Sequence, residues 1–239
     1  AAAWRNAQDT APWNYSFIGV GGALGFGNWI SERNYTLMVR AFDKAEPMDA
    51  NGGNMQDPPT IHNFVVDGTP PVSRISTPTA GSFIQASLPL ISGTSYGGVS
   101  GLVDGTGLKL VISYIAGTDI WYWNGNTALG PRWSSPTVVE LPVNFSASAS
   151  TIAWSYPPTG YSPPAITLDN KAYTLAIAGL DQAGNQETAA TVSVTSDFNY
   201  PVVTISTPMA GANSFYGPLR TMPSMTGDAA DTPAGIVPP

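Results

Sequence analysis

Apolar and polar side chains alternate in short runs along most of this chain, and Gly, Pro, Asn and Ser punctuate the runs. A period of two puts successive side chains on opposite faces of an extended strand. The clearest case is Tyr173–Leu180, where Tyr173, Leu175, Ile177 and Gly179 alternate with Thr174, Ala176 and Ala178. Leu108–Ala116 behaves the same way, with Leu110, Ile112 and Tyr114 on one face. The same reasoning predicts strands at Val72–Ser76, between flanking prolines, and at Leu88–Ser92, after the Ala80-Gly81 turn. Ile120–Trp123 is a short strand ending in Asn124-Gly125, a dipeptide suited to a type I′ hairpin. Val138–Phe145, Ser150–Ser155 and Thr188–Thr195 complete the set, and no stretch reads as a helix longer than a turn. The expected fold is all-β, built of antiparallel sandwiches.

The strands recur. Pro71-Val72-Ser73-Arg74-Ile75-Ser76-Thr77-Pro78 returns as Pro201-Val202-Val203-Thr204-Ile205-Ser206-Thr207-Pro208. Tyr35-Thr36-Leu37 through Asp43 answers to Tyr173-Thr174-Leu175 through Asp181. Asn14-Tyr15-Ser16 matches Asn144-Phe145-Ser146, and Trp4 matches Trp133. The offset of about 130 residues is one sandwich domain with decorated loops. On this reading residues 1–68 are the back part of one repeat, 69–198 a complete repeat, and 199–239 the opening strands of a third. The two partial repeats lack counterparts of roughly residues 102–132, so together they should not close a full sandwich. The joints Asp67-Gly68-Thr69-Pro70-Pro71 and Asp197-Phe198-Asn199-Tyr200-Pro201 are short and stiffened by proline.

Composition narrows the classes of function. Charged residues make up only 10% of the 239 positions, so Ser, Thr, Asn and Gly carry the polarity, as on strand surfaces. A net charge of −7, with nine scattered basic residues, argues against nucleic acid and against a polybasic membrane patch. No apolar run approaches a membrane span, and the first residues do not read as a signal peptide. Cysteine is absent, which removes disulfides, thiolate metal sites and a cysteine nucleophile.

A joint ending in proline, Val-x-Ile-Ser-x-Pro, Ile91-Ser92-Gly93-Thr94, Trp123-Asn124-Gly125, Trp133, Tyr173-Thr174-Leu175 and Asp181-Gln182-Ala183-Gly184-Asn185 follow one another in order. This series resembles the bacterial immunoglobulin-like tandem repeats of very large cell-surface proteins, over essentially the whole chain. The resemblance implies an extracellular, cell-surface location and a structural role as a stalk or filament, with spacer or adhesive work and no catalysis. Its partners would be neighbouring repeats of the same long chain, lateral copies, or a surface glycan or protein. The preceding repeat departs from the pattern, since Lys44-Ala45-Glu46-Pro47 and a longer loop follow Asp43.

Several constellations invite a chemical reading. Gly93-Thr94-Ser95-Tyr96-Gly97 spells a nucleophile elbow, but no helix follows and the single histidine, His62, lies upstream, so a glycine-rich loop is expected instead. His62 has no second His or Cys beside it and reads as an ordinary strand residue. Gly19–Gly25 lacks the spacing and the following helix of a phosphate loop. Asp43, Asp49, Asn51 and Asp57 are the weak candidates for calcium, against the favoured reading of a solvated acidic loop. Asp181 and Asn185 are expected in a tight turn. No cofactor is implied. For ligand contacts the candidates are aromatic. Trp121 and Tyr122 lie on opposite faces of one strand, and Tyr156 and Tyr161 belong to a proline-stiffened loop expected to be exposed. Trp123 is expected in the core.

Overall fold

Strand after strand follows the period-two pattern, and the computed structural model describes residues 30–43, 54–85, 87–134, 136–146, 151–208, 215–219 and 224–235. The chain divides into two compact units, residues 1–69 and 70–239. In the first, β1 (Arg33–Val39) pairs antiparallel with β2 (Thr60–Val66), with Tyr35 opposite Phe64 and Leu37 opposite His62. Among the described residues the only helical element is a single 3-10 turn, Thr127–Leu129, and no helix is long and apolar enough to cross a membrane.

The second unit contains a β-sandwich. One sheet has the order β10 (Ile152–Tyr156), β5 (Ile91–Tyr96), β3 (Val72–Thr77). The other runs β4 (Phe83–Ile84), β12 (Ala190–Ser196), β11 (Ala172–Gly179), β6 (Leu108–Ala116), β7 (Asp119–Asn124), β8 (Arg132–Ser134), and β9 (Leu141–Pro142) shares the β6 edge. All pairings are antiparallel except β4 with β12, which is parallel. Three backbone bonds extend that parallel contact: Gly81 to Ser193, Thr195 to Ser82, and Asp197 to Ile84. A separate hairpin, β13 (Val202–Thr207) with β14 (Thr226–Ala230), follows.

The core forms where alternate residues of both sheets meet. Ile91, Trp154 and Tyr156 come from the three-stranded sheet, and Leu110, Ile112, Tyr173, Leu175, Ile177 and Val194 face them from the larger one. Burial of each such side chain stabilises the fold by about 1.5–3 kcal/mol, which is how a chain without disulfides holds a sandwich together.

Three expectations from the sequence need correction. β5 begins at Ile91 and runs through Tyr96, so Gly93-Thr94-Ser95-Tyr96 is a central strand, not a loop. The glycine is there for room, because a Cβ at Gly93 would overlap the Arg74 carbonyl oxygen and stand 2.8 Å from Trp154 Cζ2. Asn124-Gly125 is not a two-residue hairpin turn. β7 and β8 are joined through the 3-10 turn, and a Cβ at Gly125 would overlap the Tyr156 hydroxyl. The tight hairpin is one strand earlier, at Gly117-Thr118, where Gly117 has φ 65°. Finally, of Val138–Phe145 only Leu141–Pro142 joins a sheet, with a further bridge from Asn144 to Ser155.

Candidate functional site

The inner face of the larger sheet ends in a cluster of rings. β6 and β7 place Tyr114 opposite Trp121, and their rings lie nearly parallel, 7° apart in plane and 6.3 Å between centroids. Trp133 meets Tyr114 edge-on at 4.8 Å and tilts against Trp123 at 5.3 Å, while Tyr173 closes the group from β11. Such contacts add about 0.5–1.5 kcal/mol each beyond the area buried. The polar atoms of these rings are met by a loop that crosses their edge. Trp123 Nε1 donates to the Ser162 carbonyl at 3.2 Å and Trp133 Nε1 to the Ala165 carbonyl at 2.8 Å.

Tyr156, expected on an exposed loop, is fully buried. Ile152, Trp154 and Tyr156 alternate inward along β10, so the strand runs one residue further than the sequence reading allowed. Its hydroxyl donates to the Ser162 carbonyl at 2.9 Å. Burial pushes the phenol up to about 12, against the Trp123 indole, which lowers it, and with a small raising contribution from Tyr161. A phenol raised on folding favours the native state at neutral pH, and that contribution is lost as pH rises from the ordinary value of 10 through about 12. Urea midpoints should therefore be level up to about pH 9 and fall above it, and Tyr156→Phe should flatten part of that fall.

Trp121, Tyr122 and Tyr161 are half-buried. Trp121 keeps one side on Tyr114, Tyr122 lies opposite Ser113 and Ser134, and Tyr161 packs against Tyr156 at 6.5 Å. None of the three lines the open notch of about 430 Å³ bounded by Tyr114, Ile115, Ile120, Asn170 and Lys171 among others. Lys171 Nζ sits 5.9 Å from the centre of the Tyr114 ring, and partial burial raises the Tyr114 phenol. One tyrosine ring, two exposed isoleucines and one cation line this concave surface.

The acidic candidates separate. Both oxygens of Asp43 accept from Asn54, from its backbone N at 2.7 Å and its Nδ2 at 3.0 Å. Asp57 lies in the bend before β2, while Asp49 and Asn51 fall outside the described residues, as do Gly19–Gly25, Trp4 and Asn14–Ser16. Among the described residues no three His, Cys, Asp or Glu side chains are close enough to share a metal ion. Asp181 holds Asn185 as Asp43 holds Asn54, at 2.8 Å through both oxygens, across the expected tight turn.

Ser95 of the elbow-like motif is buried on β5 and shares a hydrogen bond with Ser73 at 2.9 Å. Ser73 in turn gives its backbone N and its hydroxyl to Glu187, at 2.5 and 2.6 Å, and Gly179 N gives a third bond at 2.9 Å. This carboxylate ties β3 to the end of β11 across the two sheets. It was not singled out from the sequence, because one glutamate in a polar loop carries no local signal. His62 stands in β2 opposite Leu37.

The segments at residues 67–71 and 197–201 resemble each other at the level of single hydrogen bonds. Asp67 and Asp197 are both buried, and each accepts from the backbone N two residues on, Thr69 and Asn199. Ser31 accepts from Gly68 N and bonds Thr69 Oγ1, and Asp169 accepts from Phe198 N and Asn199 Nδ2 in the same way. The next residues, Glu32 and Asn170, are the two non-glycine positions with left-handed backbone among the described residues, at φ 62° and 48°. The second joint is further tied to the β14 side through Asp197 to Ala234 N and Asn199 Nδ2 to the Thr232 carbonyl.

No protein-family model matches this sequence, and no curated protein matches it at a significant level.

Proposed function

We propose that this chain is a segment of a tandem array of immunoglobulin-like sandwiches that serves as an extracellular spacer or adhesive stalk on a bacterial surface. The observation that carries the reading is the repeated joint: the same buried aspartate, the same brace and the same left-handed residue recur at both ends of the complete repeat. A short, proline-bearing segment that recurs with the same hydrogen bonds at both boundaries is what a spacer built of repeats requires.

The strand order supports the immunoglobulin-like part of the proposal. A three-stranded sheet faces a sheet in which the first strand is split and its second half joins the last strand. Tyr35 accepts a hydrogen bond from the backbone N of Ile30, five residues upstream, which fits the tyrosine corner of such domains. Tyr173 occupies the matching place at the start of β11; burial raises its phenol, and its hydroxyl makes no hydrogen bond among the described residues.

The test is to express residues 69–198 alone and follow thermal unfolding with calcium and with chelator. A single cooperative transition at the same temperature in both is expected, because the Asp181 oxygens are already bonded to Asn185. Failure to fold, or a melting temperature that depends on calcium, would overturn the metal-free spacer. An antibody to the same residues should label intact source cells. The notch lined by Tyr114, Ile120 and Lys171 favours a second reading, an adhesin module for a glycan or a surface protein. Saturable glycan binding that Lys171→Ala with Ile120→Ser abolishes would put that reading first.

A further inference from the structure

Most asparagine side chains in the described residues are engaged within the fold. Asn54, Asn63, Asn124, Asn126, Asn185 and Asn199 each take part in a side-chain hydrogen bond. Asn34, Asn144 and Asn170 make none among the described residues. Two of these three open the series Asn-x-Ser/Thr, as Asn34-Tyr35-Thr36 and Asn144-Phe145-Ser146. That series, with x other than proline, is the acceptor for N-linked sugar.

The setting of Asn144 suits the chemistry. Val143 before it is buried, and Phe145 after it packs on the core. Alternation therefore turns Asn144 and Ser146 outward together, and both are exposed. The backbone is held in place, since Asn144 N donates to the Ser155 carbonyl at 2.7 Å and Ser155 N returns the bond at 3.0 Å. The Ser146 hydroxyl, like the Asn144 amide, makes no hydrogen bond among the described residues. At the other series the hydroxyl is already taken, because Thr36 Oγ1 donates to Asn63 Oδ1 at 2.7 Å in mid-strand. Its counterpart in the sandwich is Ala172-Tyr173-Thr174, without the asparagine, whereas Asn144-Phe145-Ser146 recurs as Asn14-Tyr15-Ser16.

A bulky group at Asn144 has a structural use. β10 lies at the end of the three-stranded sheet, and among the described residues its outer side has a single bridge, Asn144 to Ser155. Ile152–Tyr156 contains no charged residue, which is one of the usual guards of an open sheet edge.

We infer that Asn144 carries an N-linked glycan, which stands beside the outer edge of β10. The donor is an oligosaccharide joined through its anomeric carbon to a lipid pyrophosphate. The Asn144 amide nitrogen bonds to that carbon as the bond from carbon to the pyrophosphate oxygen breaks. The nitrogen gives up one proton, the lipid pyrophosphate leaves with the electron pair, and nothing is oxidised or reduced. The inference rests on the extracellular reading, because N-linked acceptors belong to exported chains.

The test is mass spectrometry of the full chain purified from its source cells. Trypsin cuts after Arg132 and Lys171, so residues 133–171 leave as one fragment in which Asn144 heads the single acceptor series. Sugar masses on that fragment, placed on Asn144 by electron-transfer fragmentation, are expected. Asn144→Gln and Ser146→Ala should each remove them completely, while Ser146→Thr keeps them. Both positions are exposed, so near-ultraviolet circular dichroism should be the same for all three variants. An unmodified fragment from cells whose surface is labelled by an antibody to residues 69–198 overturns the inference and leaves the spacer reading standing. Sugar found only on serine or threonine hydroxyls, or sugar that survives Ser146→Ala, overturns it as well. A chain that is unmodified and confined to the cell interior overturns both.

Discussion

Gly93→Ala is expected to lower the unfolding free energy of the sandwich by roughly 3–5 kcal/mol. The added methyl has no space on either side, with the Arg74 backbone overlapping it and the Trp154 ring 2.8 Å away. Backbone cannot give way as a flexible side chain can. β3 would have to separate from β5, or Trp154 would have to leave a site where it is almost wholly buried and its Nε1 donates to the Thr94 carbonyl at 3.2 Å. Gly105→Ala is the control. Its backbone is left-handed, at φ 66°, but open space surrounds it, so a cost of about 1 kcal/mol is expected. Urea unfolding followed by tryptophan fluorescence distinguishes the two. Similar midpoints would show that the β3–β5–β10 sheet is far more accommodating than its packing implies.

Glu187→Ala should cost about 2–4 kcal/mol. Truncation removes the acceptor for Ser73 N, the Ser73 hydroxyl and Gly179 N at once, and the first two belong to a residue that is buried. Glu187→Gln keeps one acceptor oxygen and should cost less than the alanine. Gln56→Ala, at the matching place in β1–β2, removes exposed neutral bonds only and should change stability by less than about 1 kcal/mol. Guanidinium unfolding of the full chain reads all three. Equal losses for Glu187→Ala and Gln56→Ala would mean that the bridge between the sheets contributes nothing.

The all-β character and most strands were legible in the sequence, because period two survives wherever one face is buried. Tyr173–Leu180 and Leu108–Ala116 are examples, both within one or two residues of β11 and β6. β5 was harder to read. Gly93-Thr94-Ser95 has weak strand preference, and what makes it a strand is pairing on both sides, with β3 and β10. Tyr156 was misplaced for a local reason: the prolines after it suggested a loop, although alternation from Ile152 already pointed it inward. The match of Asn54 to Asn185 was hidden by loop length. Asp43 reaches its asparagine eleven residues on and Asp181 four, yet both make the same pair of bonds. Spacing conceals such a correspondence; hydrogen bonding reveals it. Glu187 and the notch beside Tyr114 arise from residues far apart in the chain, and no local pattern announces them.

The parallel pairing of β4 with β12 bears on what happens when the two ends of the sandwich are drawn apart. The entering strand and the leaving strand point the same way, so tension slides one along the other instead of peeling them open. The bonds from Gly81 to Ser193, Thr195 to Ser82 and Asp197 to Ile84 then carry the load simultaneously. An antiparallel pair in the same place would release its bonds one by one, as a zip does. The sandwich is thus fastened like a lap joint at the point where pulling would otherwise begin to undo it.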